Sequence, residues 1–95
     1  DDMCDTGGSL TKVSRALKLK GAERIHACFT HAVLSGNACE KLAASEIEQI
    51  VVTNTIPLHD GASEMENVTV LSIAPLLAKA IKSIHEETSV SSLFV

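Results

Sequence analysis

Aromatic side chains are nearly missing from this 95-residue chain: Phe29 and Phe94 are the only two, with no Trp and no Tyr. A core without rings depends on Ala, Val, Ile and Leu, which suits buried strands and closely packed helices. Basic charge is also short. Eight Lys and Arg against twelve Asp and Glu give a formal net charge of −4. That argues against a nucleic-acid-binding module, where a basic excess is usual. A small anionic ligand stays possible, because a helix N-terminus binds phosphate without net positive charge. No run of ~20 apolar residues occurs, so no membrane span is expected, and no secretory signal pattern is seen. The three cysteines, Cys4, Cys28 and Cys39, are odd in number and form no C-x-x-C. Free thiols in a reducing, cytoplasmic setting are expected. The four histidines, His26, His31, His59 and His85, have no metal-ligand spacing, and no metal site is expected.

The length allows one domain at most, and a chain this size buries only ~60–65% of its unfolded surface. The chain does not begin with Met and opens on acids with no strand before them. A piece cut on its N-terminal side is expected.

What is present is concentrated at the start. Asp1-Asp2-Met3-Cys4-Asp5-Thr6-Gly7-Gly8-Ser9 sets three carboxylates ahead of a hydroxyl, two glycines and a second hydroxyl. Residues 1–8 read as a loop. From Ser9, Leu10, Val13, Ala16 and Leu17 form one apolar helical stripe, and Gly21 fits the position just past its end. Arg24 to Thr30 reads as a strand with Ile25, Ala27 and Phe29 on one face. Its second face is only mildly polar, as in a sheet covered on both sides. A loop over 31–37 and a short helix to about Ala44 follow, capped by Ser35 or Asn37, with Ala38, Leu42 and Ala43 turned inward. Ile50 to Thr53 is a β-branched strand. Residues 58–67 read as a polar loop, and Val68 to Ile73 as the next strand. Pro75 marks a helix start, and Leu76, Leu77, Ala80, Ile81 and Ile84 give that helix a stripe running to about Glu87. The tail, Thr88 to Val95, is serine-rich and ends apolar. Strands alternating with helices imply an α/β domain with a mainly parallel sheet flanked by helices.

The Gly pair permits backbone conformations in which successive N–H groups converge on an anion. The helix that follows adds its partial positive end, and Thr6 and Ser9 add hydroxyls. Each bond to a charged phosphate contributes ~1.5–3 kcal/mol. Asp1, Asp2 and Asp5 would repel that phosphate, so sugar hydroxyls or a water-bridged Mg²⁺ suit them better. Neither G-x-x-x-x-G-K-[ST] nor G-x-G-x-x-G is present. The same residues also allow a plainer reading, an Asp-rich turn with a Ser N-cap.

The stretch D-D-M-C-D-T-G-G-S resembles the phosphoribosyl diphosphate (PRPP) loop of type I phosphoribosyltransferase folds, with Ser9 in place of the usual Thr. Four later stretches narrow the resemblance. Thr30-His31 with Leu34-Ser35-Gly36, Val51 to Pro57, Ala74 to Ile81, and Ser89 to Phe94 resemble, in order, segments of the ribose-phosphate pyrophosphokinases (PRPP synthetases). The resemblance covers essentially the whole chain, residues 1–95, and implies the C-terminal domain of such an enzyme, incomplete at its N-terminal side. It implies Mg²⁺-dependent transfer of the diphosphate of ATP to the C1 hydroxyl of ribose 5-phosphate, giving PRPP and AMP. Asp5, Thr6, Gly7, Gly8 and Ser9 would hold the 5-phosphate, and Asp1 and Asp2 the ribose hydroxyls. It implies no catalytic residue in this chain, since the family's ATP-binding residues, metal-binding His and catalytic Lys/Arg loop lie upstream. It also implies a cytoplasmic homo-oligomer of hexamer type. The tail 88–95 would lie at a subunit interface, where Ser89, Ser91, Ser92 and Phe94 help bind allosteric phosphate or ADP. Two rival readings share the loop: a base-transferring phosphoribosyltransferase and a non-catalytic PRPP synthetase-associated regulatory subunit. Of the other residues, His26 is expected to be packed or hydrogen-bonded in the sheet, and His31 lies near the ligand edge.

Overall fold

A computed structural model describes residues 1–94; Val95, the last residue of the tail expected at the subunit interface, lies outside the described residues. The elements in order are β1 (Met3–Cys4), α1 (Gly8–Leu19), β2 (His26–Phe29), β3 (His31–Ala32), α2 (Ala38–Ala43), β4 (Gln49–Thr53), α3 (Asp60–Ser63), β5 (Val68–Leu71) and α4 (Ala74–His85), then a 3-10 turn at Ser91–Phe94. Every strand pair is parallel: β1 with β3, and β2–β4–β5 as a three-stranded sheet. The expected α/β class with a parallel sheet is what the chain forms.

Two strands replace stretches expected as loops. Met3–Cys4 and His31–Ala32 pair with each other, and each is only two residues long. A periodicity of two cannot be read from two residues, which is why the pattern hid them. Residues 58–67 likewise contain the single turn of α3. The first helix begins at Gly8 rather than Ser9 and ends at Leu19, with Gly21 beyond it at φ +99°. The last helix stops at His85, two residues short of the expected end, and Pro75 lies in its first turn. Its start is tied down by the Ile73 amide, which donates to Asn54 Oδ1 at 2.9 Å.

The strands lie side by side as β1, β2 with β3 continuing it, β4, β5, so each connection steps the same way across the sheet. Right-handed crossovers that step one way place their helices on one face. The burial pattern agrees. Ala27, Phe29, Ile50 and Val52 are buried, with Ala38 and Leu42 of α2 packed among them. The opposite face carries exposed His26 and Cys28, half-buried Val51, and exposed Thr69 and Leu71. That face was expected to be covered, and within this chain it is open. Ala43 is also exposed rather than inward.

The two amphipathic helices are helical as their stripes predict, but the stripes are not buried. Val13 and Leu17 are exposed, and the buried residue of α1 is Ser14, whose hydroxyl donates to the Thr11 carbonyl at 2.8 Å. On α4, Leu77, Ile81 and Ile84 are exposed, and the helix packs chiefly on the tail turn. The radius of gyration, 15.9 Å, exceeds the ~12–13 Å of a compact domain of this length. Periodicity selects the helix; what it packs against depends on where the rest of the sheet's cover comes from.

A pair of truncations tests this division. Leu42→Ala, at 1% exposure, is expected to cost about 2–5 kcal/mol in denaturant unfolding. Ile84→Ala, at 68% exposure, should stay within about 0.5 kcal/mol of the parent chain.

Candidate functional site

Asp5 to Gly7 follow the carboxyl end of β1, where ligands bind in open parallel sheets, while Asp1 and Asp2 stand just before the two-residue strand. They are held there by the segment that follows β2. The Thr30 amide donates to the Asp1 carbonyl at 3.3 Å and the His31 amide to the Asp2 carbonyl at 2.8 Å. Further along, the Leu34 amide donates to the Cys4 carbonyl at 3.0 Å and the Ser35 amide to the Asp5 carbonyl at 2.9 Å. Residues 30–35 are thus a rail along residues 1–5. Leu34 runs at φ +48°, costly for a branched side chain. It is held there by 2% exposure, by the Cys4 carbonyl, and by His59 Nε2, which donates to the Leu34 carbonyl at 2.8 Å.

The structure brings Asp1, Asp2, Asp5, Thr6, Gly7, Gly8 and Ser9 together along one wall of a groove of about 630 Å³, with Leu10, Val13 and Leu17 of α1 beside them. The other wall is β2, with its apolar face and its open face meeting at the strand edge. Asp1 Oδ1 accepts from the Asp2 amide and Asp2 Oδ1 from the Met3 amide, each at 2.8 Å. One oxygen of each exposed carboxylate is left for a ligand. Asp5 differs. Its Oδ1 accepts the Ser35 hydroxyl, so the carboxylate is latched to the rail. That latch accounts for an acid beside a would-be anion site, and Ser35 was expected only as a helix cap. The signal for it was its place in the T-H-x-x-x-S-G stretch.

Gly7 caps α1 at φ +81°, and no side chain bonds the helix's first amides. The first helical bond runs from the Thr11 amide to the Gly7 carbonyl at 3.0 Å. The amides before it point out of the helix end unclaimed by a cap, and no acid lies in the first turn. Ser9 was read as a possible cap and makes no such bond; it is exposed. The two glycines differ in what they require. A Cβ at Gly7 would find ordinary contacts at 3.7 Å, so its demand is the left-handed backbone. A Cβ at Gly8 would meet only Thr6 Oγ1, at 3.9 Å, so the fold itself does not need a glycine there.

Beneath the loop, burial pushes the Cys4 thiol up from its ordinary 9.0, with Asp5 and Cys39 adding and the Gly7 amide opposing. Burial also raises Cys39, with Glu40 adding. Both favour the neutral thiol. Among the described residues no three His, Cys, Asp or Glu side chains group as a metal site, and no helix is long and apolar enough to cross a membrane. His26, expected to be packed or hydrogen-bonded, is exposed, with Nε2 3.9 Å from Glu48 Oε2. His31 is half-buried with Nδ1 2.8 Å from Thr55 Oγ1. The tail residues are elsewhere: Ser89, Ser91 and Ser92 bond among themselves, Phe94 is 69% exposed, and none lines the groove.

Comparison with known proteins agrees with this geometry. A family model described as phosphoribosyl synthetase-associated domain matches residues 1–95. A ribose-phosphate pyrophosphokinase of Campylobacter jejuni is 45% identical over 95 residues, covering 100% of this chain and 30% of its own length. One from Haemophilus ducreyi is 48% identical over 94 residues, covering 99% of this chain and 30% of its own. The crystal structure of phosphoribosylpyrophosphate synthetase from Mycobacterium smegmatis superposes with a TM-score of 0.85 at 40% identity, over 92% of this chain and 29% of that one. The chain therefore spans about 30% of the length of the curated relatives it matches.

Cysteine labelling tests the electrostatics of the site. At neutral pH a thiol alkylator should modify exposed Cys28 first and Cys4 only on unfolding. Because the folded-state pKa of Cys4 lies above 9.0, the unfolded chain releases its proton first. Stability should therefore fall as pH rises past that value, read as a drop in thermal midpoint.

Proposed function

Because the chain belongs to the family of the phosphoribosyl synthetase-associated domain, and aligns along its whole length with ribose-phosphate pyrophosphokinases, we propose that it supplies the ribose 5-phosphate site of such an enzyme. The reaction is transfer of the diphosphate of ATP to the C1 hydroxyl of ribose 5-phosphate, giving PRPP and AMP. The observation that carries this reading is the uncapped start of α1 just past the carboxyl end of β1, with an acid pair, Asp1 and Asp2, just before the same short strand.

The 5-phosphate sits at the helix end, on the amides and hydroxyls of Thr6, Gly7, Gly8 and Ser9, aided by the helix dipole. Asp5 belongs to this cradle through its backbone, with its carboxylate latched to Ser35. Asp1 and Asp2 accept hydrogen bonds from the ribose hydroxyls, a charge-assisted pairing. The acids repel phosphate and the helix end attracts it, so the sugar is held in one orientation. Catalysis of phosphoryl transfer is mostly positioning and electrostatics, and this loop's share is to place the acceptor. No residue of this chain is assigned to ATP. The family's Mg²⁺ does not fit as a protein-held ion here: the free acids are two and Asp5 is engaged, so no step is routed through it.

A cytoplasmic homo-oligomer goes with this reading, supported by the exposed apolar residues of β5 and α4. Ser89, Ser91, Ser92 and Phe94, all exposed, are proposed to serve an allosteric phosphate or ADP site at a subunit interface.

Alanine at each glycine separates folding from binding. Gly8→Ala stands at the first position of α1 with ordinary backbone and open space around it, so stability is kept or slightly raised, while its methyl is set beside the proposed phosphate position. Calorimetric titration with ribose 5-phosphate should show binding roughly tenfold or more weaker with stability kept or raised. Gly7→Ala should instead lose about 1–2 kcal/mol of stability through its left-handed backbone. Unchanged affinity in Gly8→Ala would sink the cradle.

A further inference from the structure

The carboxyl ends of β2 and β4 meet in a polar cluster that the proposed phosphate cradle does not use. β2 stops pairing with β4 after Phe29 and Val52. The next carbonyl, that of Thr30, would lack a ladder partner. Two hydroxyls serve it: Thr53 Oγ1 donates to it at 2.7 Å and Thr55 Oγ1 at 3.2 Å. Thr55 Oγ1 also lies 2.8 Å from His31 Nδ1. A hydroxyl has one proton. When Thr55 donates it to Thr30, the imidazole supplies the hydrogen between His31 and Thr55. All four residues are half-buried, so these bonds are partly shielded from water and cost more to lose.

The cluster grips the peptide unit between Thr30 and His31, whose amide donates to the Asp2 carbonyl at 2.8 Å, while the amide one unit earlier, that of Thr30, donates to the Asp1 carbonyl at 3.3 Å. A displacement at Thr30 or His31 is passed directly to the acid pair. Among the described residues nothing comparable ties the cluster to the Gly7–Ser9 end; the Cys4 and Asp5 carbonyls just before it are held by the Leu34 and Ser35 amides instead. The two ends of the opening loop thus have separate supports.

We infer that Thr53 and Thr55, with His31, form a clamp that positions Asp1 and Asp2 for the hydroxyls of the sugar. They are positioning residues, acting through the Thr30–His31 backbone. The inference rests on reading the loop as a ribose 5-phosphate site. It adds that the sugar end of the ligand is tuned from β4, independently of the phosphate end.

The test compares two probes on the full chain: ribose 5-phosphate, which needs both ends, and inorganic phosphate, which needs only the cradle. The double variant Thr53→Val/Thr55→Val keeps shape and β-propensity but removes both hydroxyls. It should bind ribose 5-phosphate about three- to tenfold more weakly while inorganic phosphate binds as before. Amide hydrogen exchange at Thr30 and His31 should speed up, and Thr53→Ser made alone, which keeps the hydroxyl, should retain the parent's affinity. Equal weakening of both probes would mean a general loss of structure and overturn the clamp. So would unchanged ribose 5-phosphate affinity in the double variant of a chain whose parent binds it. If the parent chain binds neither probe, the functional reading of the loop fails, and the clamp's part in binding falls with it. Hydrogen exchange then still reports whether the hydroxyls hold the backbone.

Discussion

The backbone ladder between residues 1–5 and residues 30–35 is the interaction on which the rest depends. Its bonds join two strands of two residues each, too short to stand alone. What sustains them is the burial of Cys4, Ala32 and Leu34 beneath, which links the ladder to the main core. Without that rail the acid pair and the glycine turn would have no fixed place beside the sheet. With it, the acid pair, the turn and the start of α1 come in fixed order along one line.

The rail also resolves a conflict of charge. On the proposed reading, an acid next to an anion-binding turn is unfavourable unless it is engaged elsewhere. The Ser35 hydroxyl engages Asp5, and the exposed Asp1 and Asp2 stand one strand-length away from the helix end. The same segment that supplies Ser35 supplies the Thr30 and His31 amides, so one stretch of chain governs both ends of the loop. The strained backbone at Leu34 lies between these two sets of contacts. It is where the rail turns from following β1 to reaching the loop.

One face of the sheet and the stripes of α1 and α4 remain open in this chain. Parallel sheets are ordinarily covered on both faces, and the connections here all step the same way, which covers only one. The groove between α1 and β2 and the apolar surface of α4 follow from that geometry. They explain a radius of gyration of 15.9 Å in a chain of ordinary apolar content.

The amino-acid sequence by itself determined the class of fold and the family. Helical stripes, the β-branched run Ile50 to Thr53 and the Gly-Gly-Ser turn are local patterns, and local patterns are set by backbone sterics and side-chain period. Ordered resemblance over the whole chain then named the family. The two shortest strands, the latch of Ser35 on Asp5, and the grip of Thr53 and Thr55 on Thr30 were decided only by the tertiary structure. Each joins residues 23 to 30 positions apart, and nothing in a run of neighbours reports on a partner at that distance. Burial was decided there too. Val13, Leu17, Ile81 and Ile84 have the spacing of core residues, and His26 that of a packed one, yet all face outward. Period sets which residues share a face, and only the placement of the other elements sets whether that face is covered.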